Sequence, residues 1–215
     1  MIISIVGGHG SIARQLTRLL TSRGHTVRGL VRDEDQFDDL RSDGAAPVLC
    51  DLESVSDADL DAALHSSNVV VFAAGAGAGS GPERKKTLDR DGAINSVRSA
   101  VRVAAGRFVI ISSMGADDPP DDDESFSVYL RAKAAADEVA RDADIDATIV
   151  RPGGLTDDVA TGSVHIAEST GRGEISRADV ATVLAELIET DKGRNVTFEL
   201  IGGETPVADA VSALG

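Results

Sequence analysis

The segment Tyr129-Leu130-Arg131-Ala132-Lys133 puts the chain's one tyrosine four residues before one of its four lysines. On a helix that spacing brings the two side chains onto one face. A free phenol has a pKa of about 10 and exchanges protons poorly at neutral pH, but a nearby ammonium stabilises its anion. With a hydroxyl such as that of Ser113 to hold a carbonyl oxygen, the pair makes a proton relay suited to hydride transfer. Chance Y-x-x-x-K pairs are common. This one begins the helix after the run Ile110-Ile111-Ser112-Ser113, which sets it apart; which of the two serines faces a substrate stays open.

A second constellation lies at the start of the chain. Gly7-Gly8-His9-Gly10-Ser11-Ile12-Ala13 follows an apolar run and opens a helical pattern, fitting G-x-G-x-x-[GA] from Gly8. Glycines permit a tight turn and close approach of a pyrophosphate, and the helix N-terminus supplies unpaired N–H groups. A purely structural turn is the plain alternative. The next run ends Gly29-Leu30-Val31-Arg32-Asp33. An acid there takes a ribose 2′-OH and selects NAD, whereas an arginine accommodates the 2′-phosphate of NADP. Arg32 stands directly at the strand end and Asp33 reads as the cap of the next helix, so NADP is expected to be preferred, with NAD as the other candidate. Asp51 and Leu52 end a third run, where a carboxylate could accept from an adenine amino group or serve a turn. Ala73-Ala74-Gly75 ends a fourth, with small residues where backbone could pass close to a cofactor.

These residues need a scaffold that gathers them at one edge. Strand-like runs are read at 2–6, 26–31, 47–50, 68–73, 107–112, 147–151 and 197–201, several of them almost continuous Val, Ile and Leu. Such runs suit strands buried on both faces of a parallel sheet. Helical patterns lie between them: the first marked by Ile12, Leu16, Leu19 and Leu20, a second after Ser56 as N-cap, then 93–103, 129–141 and 178–188. The alternation predicts a single α/β domain, a doubly wound parallel sheet of about seven strands with helices on both faces. Three connections after strand C-termini, residues 75–86, 114–126 and 153–173, are expected to form small substrate loops.

Composition narrows the partners. The 36 acidic residues against 21 basic ones give a formal charge of −15. That excludes the basic face a nucleic-acid binder needs and disfavours an anionic membrane surface. Of the acids 25 are Asp, Lys is scarce and Trp absent. The bias resembles that of halophile proteins, where net charge maintains solubility and salt screens the self-repulsion. A single cysteine, Cys50, forms no internal disulfide and reads as a small buried apolar residue. No Cys/His cluster has metal spacing, and no run approaches a signal-peptide core or a membrane span, so no metal and a cytoplasmic location are expected. Lys85 and Lys86 read mainly as surface residues at a helix start, with reach to a phosphate or substrate anion as the functional alternative. Ser176 with Asp179 fits a capping box.

In order and spacing these elements resemble the short-chain dehydrogenase/reductase superfamily, in its atypical short branch of NAD(P)-binding proteins. The similar stretches are Gly7–Ala13, Leu30–Arg32, Cys50–Leu52, Phe72–Gly75, Ser112–Asp117, Tyr129–Lys133, Arg151–Gly153 and Ile175–Val180. The resemblance implies a Rossmann sheet with the cofactor along its C-terminal edge. It also implies Ser113 as carbonyl holder, Tyr129 as acid/base, Lys133 on the nicotinamide ribose, and Pro152 and Gly153 near the carboxamide. The Gly8-His9 pair departs from the branch's usual loop, leaving His9 to contact phosphate or only fill the turn. The expected activity is hydride transfer between NADPH and a small carbonyl, quinone or flavin. The alternative is a non-catalytic NADP(H)-binding redox sensor. Monomer and homodimer both stay open.

Overall fold

Continuous apolar strands can be buried only if helices cover both faces, and the computed structural model, which describes residues 1–77 and 79–215, is built that way. Parallel strands β1 (Ile2–Val6), β2 (Thr26–Val31), β3 (Ala46–Leu49), β4 (Val69–Phe72), β5 (Phe108–Ile111) and β6 (Ala147–Pro152) alternate with helices α1 (Ser11–Ser22), α2 (Phe37–Ser42), α3 (Asp57–Leu64), α4 (Pro82–Arg84), α5 (Ala93–Arg102) and α6 (Ser125–Asp142). Short strands β7 (Gly154–Thr156), β8 (Ser163–Ala167) and β9 (Glu174–Ser176) precede α7 (Arg177–Thr190), β10 (Val196–Gly202), β11 (Thr205–Pro206) and α8 (Val207–Ser212). One core cluster packs Leu16 and Leu20 of α1 with Val183 and Leu187 of α7 on one face of the sheet. The other packs Leu60 and Leu64 of α3 with Val97 of α5 and Ala136 of α6 on the opposite face.

The main sheet has nine strands in the order β11-β8-β10-β6-β5-β4-β1-β2-β3, not the expected seven, and β7 pairs with β9 as a separate parallel ribbon. The two extra strands of the main sheet are β8 and β11, which join antiparallel beyond β10. Their signal is weak for a physical reason. In β8 (Ser-Val-His-Ile-Ala) only Val164 is fully buried, so no apolar run marks this edge strand. The 153–173 connection therefore carries two strands. It is also pinned: the Asp179 carboxylate accepts from the Thr161 and Gly162 N–H groups at 3.0 and 2.9 Å. The Ser176 hydroxyl caps α7 by accepting from Asp179 N at 2.9 Å, as the capping box predicts.

Three helical differences matter for the site. Helix α2 follows a short 3₁₀ turn at Glu34–Gln36 that Asp33 caps, its carboxylate accepting from Asp35 N at 3.0 Å. An eight-residue π-helix, Lys85–Gly92, leads into α5; such segments are rare and cluster at functional sites. Helix α6 begins at Ser125, a turn earlier than the Tyr129 start read from sequence. Among the described residues no helix is long and apolar enough to cross a membrane.

Because strand order reverses between β1 and β4, a crevice opens at their C-terminal ends. There the loop after β1 crosses the chain leaving β4. Gly7 has φ of +80°, and a Cβ on it would lie 2.5 Å from the Ala74 Cα. A Cβ on Gly8 would lie 2.7 Å from the Gly29 Cα on β2. Both obstacles are backbone and cannot rotate away. Gly7→Ala is expected to cost about 2–3 kcal/mol through strain and this clash, roughly 5–10 °C in Tm. Thermal melts of the purified variant check this, and an unchanged Tm would contradict the close crossing.

Candidate active site

The glycine loop is fixed from β2: the N–H groups of Gly7 and Gly8 both donate to Leu30 O, at 3.1 and 2.9 Å, and Gly10 N–H closes the turn onto Gly7 O at 3.0 Å. Gly10 is the N-cap of α1 and has no side chain to satisfy the first-turn N–H groups of Ser11 and Ile12. A Cβ on Gly10 would meet nothing nearer than Gly7 O at 3.4 Å, so the fold itself does not demand glycine there. A Cβ there would narrow the approach of an anionic group to the helix N-terminus. His9 points another way: its Nε2 is 2.7 Å from the Asp39 carboxylate of α2, which also pairs with Arg14 at 3.0 Å. The hydrogen bond from His9, together with the charge of Arg14, holds the Asp39 carboxyl below the usual carboxylate range.

Two cavities flank this loop. The first, of about 290 Å³, runs from Gly7, His9 and Gly10 to Arg32, Asp51 and Leu52. Arg32 is exposed, and among the described residues its guanidinium has no ion pair or hydrogen bond, although Asp33 and Glu34 follow it. Asp51 serves a turn, accepting from Glu53 N and from the Ser54 hydroxyl, both at 3.1 Å, while still lining the cavity. Cys50 is buried as expected, and that burial, with Asp51 and Asp59 nearby, pushes its thiol up to about 11.

The second cavity, of about 370 Å³, shares Ala73, Ala74 and Gly75 with the first and reaches Ile12, Ser112, Tyr129 and Lys133. Lys133 is 3% exposed and donates to Ile111 O at 2.9 Å; its Nζ lies 5.6 Å from the Tyr129 ring centre. Among the described residues the Tyr129 hydroxyl has no hydrogen-bond partner, and Phe126 stacks on its ring at 5.9 Å. Ser112 lines this cavity, but its hydroxyl donates to Asp137 at 2.8 Å. The Ser113 hydroxyl donates to Met114 O at 3.2 Å, and Ser113 is absent from the lining of both cavities. Pro152 ends β6 and accepts from Met114 N at 3.1 Å, while Gly153 is packed so tightly that a Cβ would lie 2.2 Å from Gly173 O. Leu155, two residues on, reaches the cavity wall.

Sequence reasoning missed the charged groups beneath these residues. Asp89 of the π-helix is fully buried, with Oδ2 accepting from Ala76 N at 3.2 Å and Oδ1 lying 3.8 Å from Lys133 Nζ. That is an ionic contact too long for a hydrogen bond, so among the described residues Oδ1 has no hydrogen-bond partner. Burial pushes the Asp89 carboxyl above the usual carboxylate range, against the opposing charge of Lys133 and the Ala76 N–H. One turn beyond Lys133, Asp137 Oδ2 accepts from Arg151 Nε at 3.0 Å and from Ser112. Arg151 reaches in turn to Asp117 of the acidic loop. The spacing 129, 133, 137 was the available signal, since all three fall on one helix face.

Comparison with known proteins agrees with this geometry. Residues 7–191 match the model of a family described as NAD(P)H-binding. The chain is 35% identical, over the full length of both, to a Bacillus subtilis protein named as an uncharacterized sugar epimerase. A solved structure from Bacillus halodurans, provisionally described as an NAD-dependent epimerase/dehydratase, superposes with a TM-score of 0.93 at 36% identity and complete coverage of both chains. A short-chain dehydrogenase/reductase from Veillonella parvula in complex with NADP shares the fold alone, with TM-score 0.72, 16% identity, and 95% and 96% of the two chains covered. The crevice, the glycine loop and these likenesses agree, and the chain belongs to the family described as NAD(P)H-binding.

Proposed function

We propose that the protein is an NADP-dependent oxidoreductase passing hydride between NADPH and a small carbonyl, quinone or flavin substrate. The observation that carries the reading is the pair of cavities meeting at Ala73–Gly75, with Arg32 and Asp51 on one and Tyr129 and Lys133 on the other. Gly7–Ile12 would hold the pyrophosphate, Arg32 the 2′-phosphate, Asp51 and Leu52 the adenine, and Lys133 the nicotinamide ribose. When bound, the nicotinamide supplies the hydride. The chain's own residues do the rest. Tyr129 gives the proton at its phenolic oxygen, Lys133 tunes and orients it, and Phe126 and Leu155 narrow access for water. In this reading a serine hydroxyl, from Ser112 or Ser113, turns toward the substrate oxygen only when substrate is present.

That last requirement favours a second reading. Both serine hydroxyls are engaged elsewhere, Ser112 on Asp137 and Ser113 on Met114 O. An NADP(H)-binding sensor without turnover would need neither. Epimerisation, the activity in two relatives' names, would consume no NADPH overall.

Three variants test the proposal. Gly10→Ala should leave Tm within about 2 °C of wild type yet weaken NADPH binding at least tenfold in calorimetric titration. Arg32→Ala should weaken NADPH about tenfold and NADH much less, the loss of one charge-assisted hydrogen bond; equal losses would remove Arg32 from the 2′-phosphate. In NADPH oxidation against carbonyls, quinones and flavins, Tyr129→Phe should lower carbonyl turnover about 10²-fold or more while NADPH affinity persists. Tight NADPH binding with no oxidation on any substrate would favour the sensor.

A further inference from the structure

Lys85 and Lys86 are neighbours in sequence, yet they part ways in the structure. Lys86 is exposed and pairs with Glu83 at 3.0 Å. Lys85 is buried, 8% exposed, and lines the second cavity with its Nζ 5.3 Å from the Tyr129 ring centre. Among the described residues its ammonium has no hydrogen bond and no carboxylate within ion-pair distance; Asp89, whose carboxyl feels its charge, is engaged with Lys133 and Ala76 N. A buried cation without a partner is costly in a chain that carries 36 acids. The expense is explained if a ligand brings the counter-charge. Lys133 donates to Ile111 O and lies against Asp89, and Arg151 is held by Asp137 and Asp117, so Lys85 is the cavity cation without a close counter-ion and suits an anionic group on the ligand. Of the remaining walls, Ile12, Ile111, Phe126 and Leu155 are apolar, and the polar ones, Asp89 and Ser112, are already engaged, Asp89 with Lys133 and Ala76 N and Ser112 with Asp137.

We propose that Lys85 is the anion-binding residue of the substrate cavity and selects a small carbonyl compound bearing a single carboxylate. This rests on the reductase reading for the word substrate, but the anion site itself does not. Lys85 stands beside the proton donor and not along the Arg32 cavity, so the anion belongs to the substrate and not to the cofactor.

Oxamate and its neutral amide, oxamide, separate charge from shape. On protein saturated with NADP, oxamate should bind at least tenfold more tightly than oxamide and raise Tm, since binding to the native state must. Lys85→Met should abolish that difference, and Lys85→Arg should restore most of it. With 2-oxo acids against their methyl esters, the wild-type preference in kcat/KM should collapse toward unity in Lys85→Met, mainly through KM. Equal binding of oxamate and oxamide to wild type would overturn the proposal. So would a Lys85→Met variant that loses NADPH and oxamate by the same factor, because Lys85 would then serve the cofactor. Oxamate binding through Lys85 with no carbonyl reduced upholds the anion site and sinks the reductase reading. Ester reduction without oxamate discrimination does the reverse.

Discussion

The backbone crossing at the strand reversal is the constraint on which the rest depends. Gly7 and Ala74 pass so closely that no side chain is accommodated between them, and Gly8 packs almost as tightly against Gly29. That contact fixes the start of α1 relative to the end of β4. It thereby sets the α1 N-terminus between the two cavities and brings Ala73–Gly75 to the wall they share. Were the crossing looser, the glycine loop and Tyr129 could not face a single extended ligand.

The second requirement is electrostatic. A lysine 3% exposed needs compensation, and the chain supplies it from the π-helix through Asp89 and from the Ile111 carbonyl. Asp137, Arg151 and Asp117 continue the network toward the acidic loop. Lys133 is thus held in place by groups from two other elements, the π-helix and β5, which preorganises its position beside Tyr129 at some expense in desolvation. The large negative charge of the chain is not expressed here. Around Tyr129 two ammonium groups face one buried carboxylate.

Much of this was legible in the residues themselves. Strands of unbroken Val and Ile declare themselves, as do the caps Asp33, Ser56 and Ser176, whose side chains accept the expected backbone N–H groups. The glycine loop and the Tyr129–Lys133 pair were also readable, because their spacing carries the geometry. What stayed hidden depends on contacts distant in sequence. The edge strand β8 has one buried residue and gains its pairing only from β10. Asp89 and Lys85 look like ordinary surface charges until a π-helical stretch turns both inward. Ser113, the serine favoured by family resemblance, sits off the cavity, and its hydroxyl meets its neighbour's carbonyl.

On the proposed function, the crevice beside β1 and β4 binds a nicotinamide dinucleotide carrying a 2′-phosphate. Thermal denaturation of the wild-type chain with either cofactor form tests it most directly. At a hundredfold excess over its Kd, NADPH should stabilise the native state by about 2.7 kcal/mol, a rise of roughly 5–10 °C in Tm. NADH at the same concentration should shift it less. No shift with either cofactor, or a larger one with NADH, would contradict the account.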